Sequence, residues 1–318
     1  MKLVMTLVVR DDADLVDAQI AYHLNAGVDF VIAAEHGSQG EVTEILESYS
    51  RDGHLLRFPV EGGVREGALQ THLARLAVSE QGADWVIASN ADEFWWPRGE
   101  SLKDVLAAIP PRYGLVQALV RVFPPLPDDG GFFADRRIVR TSLLASSERA
   151  GEPLSRALRP VYRAEPAMVI ERGDPTLGGE RAPLRAWYPL EVFHFPAREA
   201  DTPGGPLDNG QLEQLLAEGS FVVDTRLRDA LHSLLDAAGE GSAHRFALPA
   251  AGASRLDIPV PSVVDDASYA VECAAVGEVD LVRLDRHIQE LEQRIAVLEA
   301  RFWPRVARRL ARLGRPRR

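Results

Sequence analysis

Short apolar runs, each followed by a segment with helical spacing, constrain this chain more than any other feature. Leu3-Val4-Met5-Thr6-Leu7-Val8-Val9 comes first, apolar almost throughout and with no polar alternation. That is the pattern of a strand covered on both faces. Leu15, Ile20 and Leu24 then give a helix an apolar face, and Asn25-Ala26-Gly27 closes it. Phe30 to Ala34 predicts the second strand, and Val42 to Tyr49 the second helix, with Val42, Ile45, Leu46 and Tyr49 on one face. His54 to Val60 and Arg65 to Gln81 repeat the pair. A fourth strand over 85–89, a helix from Ser101 and a strand over Tyr113 to Phe123 follow. Such alternation implies right-handed crossovers and an α/β fold, a mostly parallel sheet with helices on both faces.

The strand ends carry polar groups where α/β sheets bind ligands. Asp11-Asp12 follows the first strand, Glu35 the second, and Asn90 with Asp92 the fourth. No glycine stands between Met1 and Gly27, so the Gly-x-Gly-x-x-Gly of a dinucleotide fold is missing, as are a P-loop and a Gly-x-Ser-x-Gly elbow. Carboxylates at these positions suit a nucleotide held through base and ribose, with its diphosphate on a hard cation. A formal net charge of −11 argues against the main body tracking nucleic acid. The single cysteine, Cys273, excludes an intrachain disulfide framework and fits a reducing compartment. No stretch approaches the ~20 apolar residues of a membrane span. The expectation is a cytoplasmic protein with peripheral contact to the inner membrane face.

Taken together, these pieces resemble the family-2 glycosyltransferases with a GT-A fold, in particular a bacterial subgroup with an Asp-Ala-Asp-Glu-Phe-Trp segment. Ala91-Asp92-Glu93-Phe94-Trp95-Trp96-Pro97 carries the likeness, with Leu3 to Asp11, Ala18 to Asp29, Thr43 to Leu46, Gly82 to Ile87, His194-Phe195-Pro196 and Val223 to Leu231. The resemblance implies transfer of a sugar from a nucleotide-diphosphate donor to a glycan or lipid-linked acceptor, with inversion and with Mn²⁺ or Mg²⁺. It places Arg10, Asp12, Glu35, Asn90 and Asp92 at the nucleotide sugar, and Asp92 with His194 at the metal. The catalytic base is expected at Glu191, three residues before His194, or at Asp174.

Several positions depart from the subgroup. Asn90 stands where the Asp-x-Asp motif has its first acid, and an amide brings no charge to a hard cation. Ser38-Gln39-Gly40-Glu41-Val42 lacks the carboxylate of Ser-x-Asp-Gly-Thr, Leu69 replaces a tryptophan, and Gly173-Asp174-Pro175 lacks a histidine. A second reading follows: a catalytically weak GT-A-like domain that binds nucleotide or glycan and acts as an oligomerising partner.

The chain divides by pattern into a transferase-like domain over 1–200, a helical accessory segment and linker over 201–279, and a helical tail over 280–318. Helices are predicted at Gln211–Ala217 and Thr225–Ala238, and Gly239 to Val276, with few periodic signals, reads as a partly ordered linker. Leu281, Leu284, Ile288, Leu291, Ile295, Leu298 and Phe302 alternate spacings of three and four, the seam of a coiled coil and a basis for a homo-oligomer. Residues 303–318 hold Trp303, seven arginines and no acid, which predicts a basic amphipathic helix at an anionic membrane surface.

Overall fold

A computed structural model of the chain describes residues 1–9, 13–36, 40–60, 65–98, 101–125, 131–142, 158–170, 181–184, 188–196, 209–239 and 242–249. These all fall in the first of two units, 1–278. Arg10, Asp12, Asp174, the seam over 281–302 and the basic tail over 303–318 lie outside the described residues.

Leu3–Val9 forms β1, with every residue buried. It pairs in parallel with β2 (Phe30–His36) on one side and β4 (Trp85–Asn90) on the other, and β3 (Leu55–Val60) lies in parallel beyond β2. A strand with neighbours on both edges and helices above and below keeps no side chain in water, which is why its sequence shows no alternation. The connecting helices are α1 (Ala13–Asn25), α2 (Glu41–Arg51) and α3 (Glu66–Ser79). α2 buries Val42, Leu46 and Tyr49, three of its four predicted core positions. Leu69, Leu73, Ala74 and Ala77 of α3 pack on Val4, Ile32 and Val86 in one apolar cluster. Gly27 closes α1 at a φ of 107°, a conformation that a side chain would resist.

Beyond Asn90 the topology departs from the expectation of a mostly parallel sheet. The elements are β5 (Glu93–Pro97), α4 (Leu102–Ala107), β6 (Tyr113–Val122), α5 (Phe133–Arg136), β7 (Val139–Thr141), β8 (Leu158–Arg163), β9 (Ala182–Leu184), β10 (Leu190–His194), α6 (Asn209–Ala217), β11 (Phe221–Val223) and α7 (Arg226–Ala237). Among the described residues the main sheet is nine-stranded, in the order β3-β2-β1-β4-β8-β6-β10-β5, with β9 beside β6; β7 and β11 form a separate pair. β8 runs antiparallel between β4 and β6, and β5 antiparallel on β10. The sheet is therefore mixed. The reversal of β5 comes from a two-residue turn, Ala91-Asp92, which sends the chain into Phe94-Trp95-Trp96, three aromatics that favour a strand.

β5 ends the sheet, and an edge strand exposes unpaired main-chain groups unless something covers them. α1 covers them here. Trp95 N–H donates to Nε2 of His23 over 2.9 Å, and Tyr22 Oη donates to the Trp95 carbonyl over 3.3 Å.

Within the segment read as a linker, residues 242–249 pack onto the domain. Phe246 is fully buried, Ala247 N–H donates to the Leu234 carbonyl, and Asn25 Nδ2 donates to the Ala247 carbonyl. His244 Nε2 lies 2.7 Å from Asp52 Oδ2 at the end of α2.

Candidate functional site

The turn between β4 and β5 is held by one buried carboxylate. Glu93, 2% exposed, accepts from Asn90 N–H through Oε2 over 3.1 Å and from Arg159 Nε through Oε1 over 2.7 Å. Ser89 Oγ donates to the Asn90 carbonyl and accepts from Trp95 Nε1. The turn is thus tied at both ends before any ligand is considered.

Strand register does the rest. β5 and β10 pair with Glu93 opposite His194, and the ladder continues past them through Phe195 N–H to the Asp92 carbonyl, 2.8 Å. Asp92 and His194, 102 residues apart in sequence, therefore meet: His194 Nε2 lies 3.2 Å from Asp92 Oδ2, and each side chain is 24% exposed. Asp92 Oδ1 is buried and has no hydrogen-bond partner among the described residues. A buried carboxylate oxygen without a donor is costly and calls for an explanation. A cation or a ligand donor at this atom would provide one.

The other predicted residues are placed as follows. Asn90 ends β4, half-buried, and its N–H is the one that Glu93 takes. Glu35 ends β2 on the same rim, since Val9 stands opposite Glu35 and Val8 opposite Asn90; two strand spacings put it about 10 Å from Asn90. Its oxygens are engaged by Thr43 Oγ1 at 2.5 Å and by Arg57 Nε, and the residue is 4% exposed. That geometry makes Glu35 a brace between β2, α2 and β3.

Glu191 differs most from its expected part. Alternate residues of a strand point to opposite faces, so a carboxylate three positions before His194 points away from it. Glu191 is fully buried, with Arg121 Nε 2.5 Å from Oε1 and Arg226 NH1 2.8 Å from Oε2. Asp224 joins the network through Arg226 and Arg140. Burial alone would push the Glu191 carboxyl up, but the charges of Arg121, Arg226 and Arg140 outweigh it and hold the group well below the usual carboxylate range. A carboxylate sealed and neutralised in this way is a structural group, and it is poorly suited to take a substrate proton.

No family model matches the chain, and no curated protein matches it. Among the solved structures that resemble it are three of S. aureus TarS. The crystal structure of S. aureus TarS 1–349 aligns at 17% identity over 52% of this chain and 47% of that one, with a TM-score of 0.32. TarS 1–349 in complex with UDP aligns at 12% identity over 69% of this chain and 70% of that one, at 0.36. S. aureus TarS aligns at 14% over 69% and 43%, at 0.31. The chain spans about half the length of the first of these.

One part of the site escapes reasoning from sequence. The Glu93–Arg159 pair joins positions 66 apart, and nothing local marks Arg159 among its neighbouring arginines. The Glu191 network did leave a signal. An acid inside Leu190-Glu191-Val192-Phe193 must be paired if that run is buried, and Asp224-Thr225-Arg226 supplies the partner.

Proposed function

We propose that this chain is a glycosyltransferase that moves a sugar from a nucleotide-diphosphate donor to a glycan or lipid-linked acceptor of the cell envelope, with inversion and metal assistance. The observation that carries the reading is the Asp92–His194 pair, set by strand register beyond the end of β4, with Asp92 Oδ1 buried and without a hydrogen-bond partner among the described residues. The motif resemblance over Ala91 to Pro97 supports it.

The residues fit a divalent cation as a two-donor site. Among the described residues no group of three or more His, Cys, Asp or Glu is placed to hold a metal ion, so the described residues bring one carboxylate and one imidazole. Cations bound through few protein groups take their remaining ligands from phosphate and water. The imidazole favours Mn²⁺ over Mg²⁺. A bound ion supplies charge stabilisation for the leaving diphosphate. Asp92 and His194 would hold it, and Glu93 fixes the turn that aims Asp92. With Glu191 committed to its arginines, Asp174 is the base we propose, on the motif resemblance alone.

Asn90 favours a second reading, since it removes one charge from the expected cation site: a catalytically weak or inactive domain that binds nucleotide or glycan and serves in an oligomer. We further propose self-association through 281–302 and contact with an anionic membrane surface through 303–318. No helix among the described residues is long and apolar enough to cross a membrane.

A thermal-shift screen of UDP-, GDP-, dTDP- and CDP-sugars with and without Mn²⁺ tests the reading, because a ligand of the native state raises its melting temperature. Mn²⁺-dependent stabilisation by one donor, followed by hydrolysis or transfer, is the result expected of an enzyme. Stabilisation without turnover supports the binding domain, and silence from all four donors removes the transferase reading and leaves the second reading only as a glycan-binding domain.

A further inference from the structure

Next to the Asp92–His194 pair stands an arginine with no assigned role. Resting on the transferase reading, we propose that Arg159 is the anion-binding residue of this site, contacting the diphosphate of the donor, and that Glu93 positions it there.

The pair is unequal in a way that a purely structural ion pair need not be. Glu93 is 2% exposed and uses both oxygens within the protein, whereas Arg159 is 33% exposed. A guanidinium has five N–H donors. Arg159 gives one to Glu93 through Nε and a second, at 3.4 Å, to the Leu158 carbonyl through NH1. The remaining donors have no protein partner among the described residues, and the side chain is open to solvent on that account. A planar fork with free donors is the group best matched to phosphate oxygens.

Its position follows from the sheet. Arg159 lies on β8 opposite Ala118 of β6, and Ala118 lies opposite Leu190 of β10. From there the side chain reaches Glu93, which faces His194 across the β5–β10 ladder. Directly opposed residues in such a ladder have their Cβ atoms about 5 Å apart, so the guanidinium is one side chain removed from the His194–Asp92 contact. Charge gives the arginine its purpose. Glu93 offsets the charge of Arg159 and Asp92 would offset one charge of a divalent cation, so the site would stay positive toward an anion while the free guanidinium donors remain available to it. Asn90, by adding no third carboxylate, keeps that balance.

The test is isothermal titration of the full chain with UDP, GDP, dTDP and CDP, each with Mn²⁺, comparing wild type with Arg159→Gln and Arg159→Lys. Losing a charge-assisted hydrogen bond to a diphosphate lowers affinity by about 10- to 100-fold. The expected order is wild type, then R159K, which keeps the charge but not the fork, then R159Q. Millimolar guanidinium should restore part of the loss in R159Q, which a merely structural role would not allow. Equal affinities in wild type and R159Q overturn the assignment of Arg159 and leave the transferase reading standing. Failure of the wild type to bind any of the four overturns both. Thermal melts identify folded variants; should R159Q lose its transition, R159K is compared with wild type, and an unchanged affinity again overturns the assignment.

Discussion

The main-chain N–H of Trp95 donates to Nε2 of His23, and Nδ1 of the same ring lies 2.7 Å from the Gln19 carbonyl. Both ring nitrogens are thereby committed, one accepting and one donating, which requires a neutral imidazole. Burial pushes the His23 pKa down to about 3, against the smaller pull of the Gln19 carbonyl. In the unfolded chain the same ring titrates near its ordinary value of 6.5. Below about pH 6.5 the unfolded state therefore takes up a proton that the folded state refuses. Stability falls as pH drops from there toward 3, by about 1.4 kcal/mol per unit once the unfolded ring is charged. His23→Gln should cost about 1–3 kcal/mol at pH 7.5, for the weakened bond to Trp95. It should also flatten the loss between pH 6.5 and 5. Urea unfolding at four pH values measures both, and an unchanged slope in the variant would remove His23 as the source.

The buried network around Glu191 makes a second prediction. Replacing one member of a buried ion pair strands its partner, at about 3–5 kcal/mol. Glu191→Gln should lose that much at pH 7, and Arg226→Lys less, because the charge stays. The Glu191 carboxyl sits below its ordinary range when folded, so its contribution is present above about pH 4.3 and is lost as pH falls below that. Wild type and E191Q should converge in stability toward acid pH, as read by chemical denaturation. A constant gap down to pH 3 would contradict this.

Asp92 and His194 should act together on cation-dependent binding. Asp92→Asn and His194→Ala are each expected to lower Mn²⁺-dependent nucleotide affinity by about 100-fold, with melting temperatures close to wild type because both side chains reach solvent. Asn90→Asp should raise Mn²⁺ affinity by about tenfold or more, since charge count tunes such sites. Mn²⁺ titration followed by electron paramagnetic resonance reads all three. No gain in N90D would mean that the Asn90 position does not face the ion.

Phe246 tests the docked segment. It is fully buried, and truncating a buried phenylalanine costs about 3–5 kcal/mol. Phe246→Ala should melt earlier and be cut by protease within 242–249 faster than the wild type. If the segment behaved as a free linker, the variant and the wild type would be cut at the same rate.

The sequence alone determined the parallel half of the fold. β1 to β4 and α1 to α3 depend on contacts between neighbouring elements, and their apolar periodicities record which faces are covered. It also marked Asp92 and His194 as residues of interest, through the motif that each belongs to. What tertiary structure decided is everything that depends on pairing across long separations. The direction of β5 and β8, the meeting of His194 with Asp92, and the coupling of Arg159 to Glu93 are matters of register. A strand's own residues specify its two faces but not its neighbour. For the same reason Glu191, which the sequence sets three residues from His194, points into an arginine network on the other face of β10.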